Sequence, residues 1–390
     1  MIRFDAVSKN YPNGTTAVDD LSLELAEGGI TVLVGPSGCG KTTTLRMINR
    51  MVEPTAGTVS LRGQDIREVH APELRRGIGY VIQHAGLFPH RTILDNIATV
   101  PLLLGWSRKK ARARAAELLE LVGLPSEMAK RYPNQLSGGQ QQRVGVARAL
   151  GADPPVLLMD EPFSAVDPIV RAELQAEFIR LQKELHKTIV FVTHDIDEAI
   201  KLGDNIAVFR TGGRLAQFDT PERLLAEPAD DFVADFVGHD RGIRRLSFVD
   251  GANVPLRDGP VLPATSSVAS ARTGDEPWVL VVDDARRPLG WAAVADLPES
   301  GTLADATLAP LGHTFSLVGD SARAALDSAL LSPARLAVGV DADGAVVGVA
   351  DAHELSAGTP DVADPAGAAD IDADPAGTDS GADGTGGAKR

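Results

Sequence analysis

The sequence reads as an α/β fold over residues 1–240, followed by a smaller α+β stretch over 241–356 and a disordered tail over 357–390. Three observations predict this. Ile30–Val34, Val156–Met159 and Ile189–Val192 are β-rich apolar runs with little internal alternation, as expected of strands buried on both faces of a parallel sheet. Between them, Lys109–Val122 and Ile169–Leu185 have helical spacing, so strands and helices alternate along the chain. After residue 241 that alternation stops and an internal repeat begins.

The chain is 390 residues long and 44% apolar, which is room for two or three domains with real cores. No uncharged stretch reaches the ~18 residues of a membrane helix. The start, Met1 to Asp5, has charges where a signal peptide places its apolar region, so a soluble chain that stays in the cytoplasm is expected. One cysteine, Cys39, excludes an internal disulfide framework and any multi-cysteine zinc or iron–sulfur site. The net charge of -15 argues against a nucleic-acid binder, which usually carries a basic footprint.

The repeat has a gap-free offset of 58: Val282 and Asp283 match Val340 and Asp341, Gly290 matches Gly348, Ala292 matches Ala350, and Leu297 matches Leu355. In each copy a strand ends at the Asp, a turn comes next, and a second strand carries the Gly before a short acidic helix start. A duplicated βαββ-type module is the reading, with chance similarity in an Ala- and Val-rich chain as its competitor. The tail has seven aspartates, few large apolar residues and a short Ala-Asp-Pro-Ala-Gly repeat at Ala363 and Ala373, the composition of a disordered segment.

The chemistry lies in the first 240 residues. Gly35, Pro36, Ser37, Gly38, Cys39, Gly40, Lys41 and Thr42 fit GxxxxGK[ST], directly after one predicted strand and before the helical run Lys41–Arg50. Glycines there let backbone N–H groups turn around a β-phosphate, Lys41 reaches the β/γ oxygens, and the Thr42 hydroxyl can ligate Mg2+. Asp160 and Glu161 come directly after the second apolar run, where the aspartate can hold Mg2+ and the glutamate can polarise an attacking water. His194 ends the third run, and ligands bind at that edge of open α/β sheets. Ser137, Gly138, Gly139 and Gln140 open a further helix as a second anion site. One chain cannot easily bring two phosphate-facing helix ends to a single nucleotide, which points to a partner subunit.

These residues resemble the ATP-binding subunits of ABC transporters over about residues 1–240. Walker A is Gly35 to Thr43, Walker B is Val156 to Asp160, and the signature is Leu136 to Gln140. The resemblance implies a P-loop NTPase ABC ATPase domain with a helical subdomain, ATP and Mg2+ as ligands, and a homodimer with two shared sites. It further implies that Tyr11 stacks on adenine, that Gln83 touches Mg2+ and the attacking water, and that Ser164 to Asp167 forms the loop crossing the dimer, with Asp167 contributing to catalysis. Met47–Thr55, Gly79–Gln83, Gly86–His90 and Val100–Ser107 are similar to importers of quaternary-amine osmoprotectants such as glycine betaine, choline, carnitine and proline betaine. Membership of that group implies membrane permease subunits as partners, indirectly a substrate-binding protein, no nucleic acid, and a peripheral place at the cytoplasmic face of the membrane. The 58-residue repeat resembles a tandem pair of CBS modules, degenerate in its first copy, where Pro260, Pro263 and the stretch Thr265–Ser270 occupy the place of the first helix.

Two other readings compete. The same motor can serve another solute, such as an amino acid or polyamine. A soluble ABC ATPase acting on DNA or the ribosome is disfavoured, since only 92 residues separate Thr43 from Leu136, without sustained heptads, and each motif occurs once. Trp106, Trp278 and Trp291 are expected in cores or interfaces rather than in an aromatic cage.

Overall fold

The computed structural model describes residues 2–82, 86–164 and 166–356, arranged as two units, Met1–Phe248 and a second beginning at Val249. Gln83 and the expected tail over 357–390 lie outside the described residues.

The strands of the first unit, in chain order, are β1 (Ile2–Asn10), β2 (Thr16–Leu25), β3 (Ile30–Val34), β4 (Ala56–Leu61), β5 (Gln64–Asp65), β6 (Ile78–Val81), β7 (Val156–Asp160), β8 (Thr188–Val192), β9 (Asn205–Arg210) and β10 (Arg214–Asp219). Six form one sheet in the order β10-β9-β3-β8-β7-β6, parallel except for the antiparallel edge strand β10. Along β8, Ile189 and Phe191 enter one core while Val190 and Val192 enter the other, and β7 and β9 divide alike. Each central strand has two apolar faces, which is why its sequence does not alternate.

One face carries helices Ile93–Ile97, Arg108–Leu121, Gly138–Leu150 and Pro168–Leu185 in a common core. In Arg108–Leu121 the buried positions Ala111, Ala115, Leu118 and Leu119 have helical spacing, and the Ser107 hydroxyl caps the start by accepting from the Lys110 N–H. The other face packs helix Lys41–Ile48 and a second, antiparallel sheet, β2-β1-β4-β5, through Phe4, Val18, Leu23, Val59, Leu45 and Met47. The α/β architecture expected for this part of the chain is the one observed.

The second unit adds β11 (Val261–Pro263), β12 (Trp278–Val282), β13 (Pro288–Ala293), β14 (Thr314–Ser316), β15 (Leu336–Val340) and β16 (Val346–Asp351) in two three-stranded sheets, β11-β12-β13 and β14-β15-β16. In both sheets the first pair is parallel and the second antiparallel. Every pair from Trp278↔Ala293 to Val282↔Pro288 recurs 58 residues later, from Leu336↔Asp351 to Val340↔Val346, with the irregularity at the same place. Both turns are also built alike: Asp283 Oδ1 accepts from the N–H groups of Ala285 and Arg287, and Asp341 Oδ1 from those of Asp343 and Ala345. The copies differ at their first helix, a single turn at Val268–Ala271 against ten residues at Ala322–Leu331.

The copies are interlocked. The segment leading into the second copy pairs with the first through Ala309 and Trp291, and the segment leading into the first pairs with the second through Arg257 and Val349. Each crossing passes over a repeat glycine. A Cβ on Gly290 would sit 2.8 Å from the Ala309 oxygen, and one on Gly348 would sit 2.9 Å from the Arg257 oxygen. The glycines at offset 58 are therefore required by close backbone approach. Trp291 is fully buried in the shared core with Leu280, Val338 and Val349.

Replacing Gly348 with Val should destabilise the second unit by roughly 1–3 kcal/mol, because the crossing segment must move to admit the side chain. Urea unfolding followed through Trp278 and Trp291 measures this, with ATP turnover as the control for the first unit. A wild-type midpoint would show that the crossing has room to spare.

Candidate active site

Three strand ends are tied together at the carboxyl edge of the six-stranded sheet. The Thr193 N–H donates to the Leu33 carbonyl at 3.2 Å, joining the ends of β8 and β3, and the Glu161 N–H donates to the Val192 carbonyl at 3.0 Å, joining β7 to β8. The loop after β3 runs from Gly35 to Gly40 and enters helix Lys41–Ile48 with Gly40 as its left-handed N-cap, φ 98°. A Cβ on Gly40 would lie 2.0 Å from the Ala17 oxygen, and one on Gly35 2.3 Å from the Phe209 oxygen. Neither position admits a side chain, so the loop is pressed against β2 and β9.

Lys41 is buried, and its ammonium donates to the carbonyls of Gly35 at 2.7 Å and Pro36 at 2.9 Å. Its positive charge therefore sits inside the ring of loop backbone, with exposed Ser37 and Gly38 at the rim. Cys39 is fully buried, its Sγ 3.7 Å from the Lys41 ammonium, and burial pushes its thiol up from the ordinary value.

The Thr42 hydroxyl donates to Asp160 Oδ1 at 2.9 Å, and Thr43 continues the same helical turn. The other carboxylate oxygen of Asp160 faces two groups that sequence reasoning missed, the Arg46 guanidinium at 3.4 Å and the Tyr80 hydroxyl at 3.5 Å. The Tyr80 hydroxyl and the Asp160 carboxylate hold Arg46 further toward its charged form, while burial pushes the Tyr80 phenol up. Arg46 was findable, since it lies one helical turn past Thr42 and so on the same face. Tyr80 was not, because only the pairing of β6 with β7 brings it there.

Glu161 has a left-handed backbone, φ 47°, which a non-glycine residue adopts only under constraint from its surroundings. That turn carries its carboxylate to His194, with Oε2 3.3 Å from Nδ1. Asp160 and Glu161, though adjacent, thus face different groups, Thr42 and His194.

Other expected site residues lie elsewhere in the unit. Ser137 caps helix Gly138–Leu150 in a capping box with Gln140: the Gln140 N–H donates to the Ser137 hydroxyl at 3.3 Å and the Ser137 N–H to Gln140 Oε1 at 3.0 Å. This helix packs among the helices of the first core, and a Cβ on Gly139 would meet Val170 at 2.9 Å. Asp167 caps helix Pro168–Leu185 by accepting from the Ile169 N–H at 3.0 Å. Tyr11 is exposed in the turn between β1 and β2, with the Lys9 ammonium 5.2 Å above its ring.

The buried thiol gives a direct test of the loop's closure. Cys39 should react with a thiol reagent at least ~100-fold more slowly in the native chain than in urea, since attack requires local opening. Equal rates, followed at 412 nm with an aromatic disulfide, would mean that the loop is open.

Comparison with known proteins bears on the family. Residues 18–164 match the ABC transporter family. The osmoprotectant import ATP-binding protein OsmV of Salmonella typhimurium is 46% identical over 330 residues, covering 82% of this chain and 85% of that protein. The carnitine transport ATP-binding protein OpuCA of Listeria monocytogenes is 52% identical over 274 residues, 70% of this chain and 69% of that protein. A dimeric structure of the ATP-binding cassette MJ0796 in a post-hydrolysis state, bound to ADP and Pi, superposes with a TM-score of 0.52 at 35% identity over 57% of this chain and 99% of that one. A phosphate loop, an acidic pair and a histidine at one sheet edge, on a chain related to transport ATPases over most of its length, identify this protein as a member of the ATP-binding subunits of ABC transporters, which bind ATP and hydrolyse it to drive transport.

Proposed function

We propose that the chain is the motor of an importer of quaternary-amine osmoprotectants, working as a homodimer on separate membrane permease subunits. The observation that carries this reading is the meeting of Lys41, Thr42, Asp160, Glu161 and His194 at one sheet edge, in a chain whose relatives bear the names of osmoprotectant, carnitine, choline and glycine betaine transport proteins. A substrate-binding protein would take part indirectly. Among the described residues no helix is long and apolar enough to cross a membrane, in keeping with a peripheral subunit at the cytoplasmic face.

In this reading the loop Gly35–Gly40 holds the phosphates through its N–H groups, and Lys41 shifts its ammonium from loop carbonyls to β/γ oxygens. Thr42 and Asp160 already place two hard oxygen donors 2.9 Å apart, a fit for Mg2+ with Gln83 as a further expected ligand. Mg2+ when bound would neutralise charge on the β and γ phosphates. Glu161 takes the proton of the attacking water, and His194 is held against that carboxylate and turned toward the γ-phosphate. Tyr11 stacks on adenine. Ser137, Gly138, Gly139 and Gln140 present a capped helix start to the nucleotide of the partner, with the segment ending at Asp167 crossing between subunits. The MJ0796 cassette, solved as a dimer with ADP and Pi, supports the two-subunit part of this reading.

Glu161→Gln keeps the shape of the side chain but removes the base. Its ATPase rate should fall ~100- to 10,000-fold while ATP binding persists, so the variant should accumulate as an ATP-bound dimer. Near wild-type turnover, with no dimer on size exclusion in ATP, would place the base elsewhere.

The repeat over 241–356 is assigned as a tandem CBS-like regulatory module, followed by an acidic tail over 357–390. Removing 357–390 should leave thermal stability and ATPase activity almost unchanged. Removing 241–390 should leave intrinsic ATPase activity but change how transport responds to salt or added nucleotide, because a regulator acts only through differential interaction with resting and active states. Uptake of radiolabelled glycine betaine into vesicles holding the permease, for both truncations and the full chain across ionic strengths, is the measurement. Identical salt and nucleotide responses in the full chain and the 1–240 chain would remove the regulatory role, and absence of uptake alongside active ATPase would remove the solute.

A further inference from the structure

Helix Ile196–Leu202 begins almost directly after His194, and its first turn carries a carboxylate that ATP binding and hydrolysis leave without a task. Glu198 is 7% exposed. A buried carboxylate is costly unless donors surround it, and a position needing only packing would be apolar. Here the contacts are specific. Gln175 Nε2 donates to Glu198 Oε1 at 2.9 Å, and the Thr193 side chain faces the same carboxylate across the cavity they share. Gln175 is itself fixed, since its carbonyl oxygen accepts from the Lys201 ammonium at 3.0 Å.

The two contacts come from places that matter. Thr193 immediately precedes His194, and Gln175 lies two turns into the helix that Asp167 caps. Glu161, Ser164, Arg171, Thr193, His194 and Glu198 line one cavity of about 50 Å³. Arg171 Nε is buried there without a partner among the described residues, while another of its nitrogens donates to the Val166 carbonyl at 3.2 Å. Attraction between a carboxylate and the start of its helix would not require burial or either contact, since that effect operates at exposed positions too. It therefore leaves the two contacts unexplained.

We propose that Glu198 is a positioning residue for His194. Through Thr193 it fixes the backbone that presents the imidazole to Glu161, and through Gln175 it refers that position to the helix beginning after Asp167. The inference rests on the proposed roles of Glu161 and His194.

The test measures kcat, KM for ATP and thermal midpoint in the full chain for Glu198→Ala, Glu198→Gln, His194→Ala and the double variant His194→Ala with Glu198→Ala. Glu198→Ala should lower kcat ~10-fold or more with KM within about twofold, because the phosphate loop is untouched. Glu198→Gln should keep about half of kcat or more, since its amide oxygen still accepts from Gln175, with a midpoint no lower than wild type because a buried charge is gone. The double variant should be no slower than His194→Ala alone, as expected of residues acting through one group. Should Glu198→Ala unfold, Thr193→Val removes the hydroxyl at nearly constant shape and should show the same non-additive loss. Multiplying losses in the double variant, wild-type kcat in Glu198→Ala, or a Gln variant as slow as the Ala variant would each overturn the proposal alone. A wild-type kcat in His194→Ala would instead overturn the role of His194 and this inference with it.

Discussion

The first unit depends on one constraint, that the ends of three neighbouring strands stay in fixed register. The bonds from the Thr193 N–H to the Leu33 carbonyl and from the Glu161 N–H to the Val192 carbonyl set it, and both lie beyond the last ladder pairs of their strands. Buried amides and carbonyls must be paired, so these bonds are not free to slip. Because β3, β8 and β7 are adjacent, the groups at their carboxyl ends become neighbours: the phosphate loop from β3, His194 from β8, and the acidic pair from β7. Glu161 shows the cost, a left-handed backbone that only a firmly held neighbourhood sustains.

The second unit solves its own problem by exchange. Each three-stranded sheet is extended at its outer strand by the lead-in segment of the other copy. That exchange demands small residues at the crossings, Gly290 and Gly348. The outer strand of each copy thus lies between its own sheet and the segment before its twin. The same logic accounts for Trp291, whose large side chain fills the core where both sheets meet.

The features legible in the sequence are the local ones. The phosphate loop, the acidic pair, His194 and the signature helix start are local patterns, each immediately before or after a strand or helix with its own periodicity, and the structure places each where that periodicity puts it. Gly290 and Gly348 stood out by offset, but the reason for glycine there is a contact with Ala309 and Arg257, which no local pattern reports. Tyr80 and Glu198 were invisible for the same reason, being ordinary residues of a strand and a helix until strand order and helix packing bring them to Asp160 and Thr193. The helix at Val268–Ala271 shows the opposite case: prolines and a Ser-rich stretch stand in the place of the first helix, yet Ser267 caps one turn by accepting from the Ser270 N–H.

Helix Ile196–Leu202 is held from both sides, and the two holds differ in strength. On its inner side Glu198 is buried and accepts from Gln175. On its outer side Asp197 pairs with Arg244 at 3.1 Å, in the short helix Arg241–Arg245 near the end of the first unit. Arg244 is well fixed, donating also to the Val237 carbonyl at 2.6 Å, but the Asp197 side chain is 68% exposed. An ion pair with one exposed partner is worth about 1 kcal/mol or less. Any influence passing from the chain beyond residue 245 to the His194 helix through this pair alone is therefore limited to a factor of about five. A larger effect requires either that the exposed carboxylate become buried in another state or that the signal enter by a different contact.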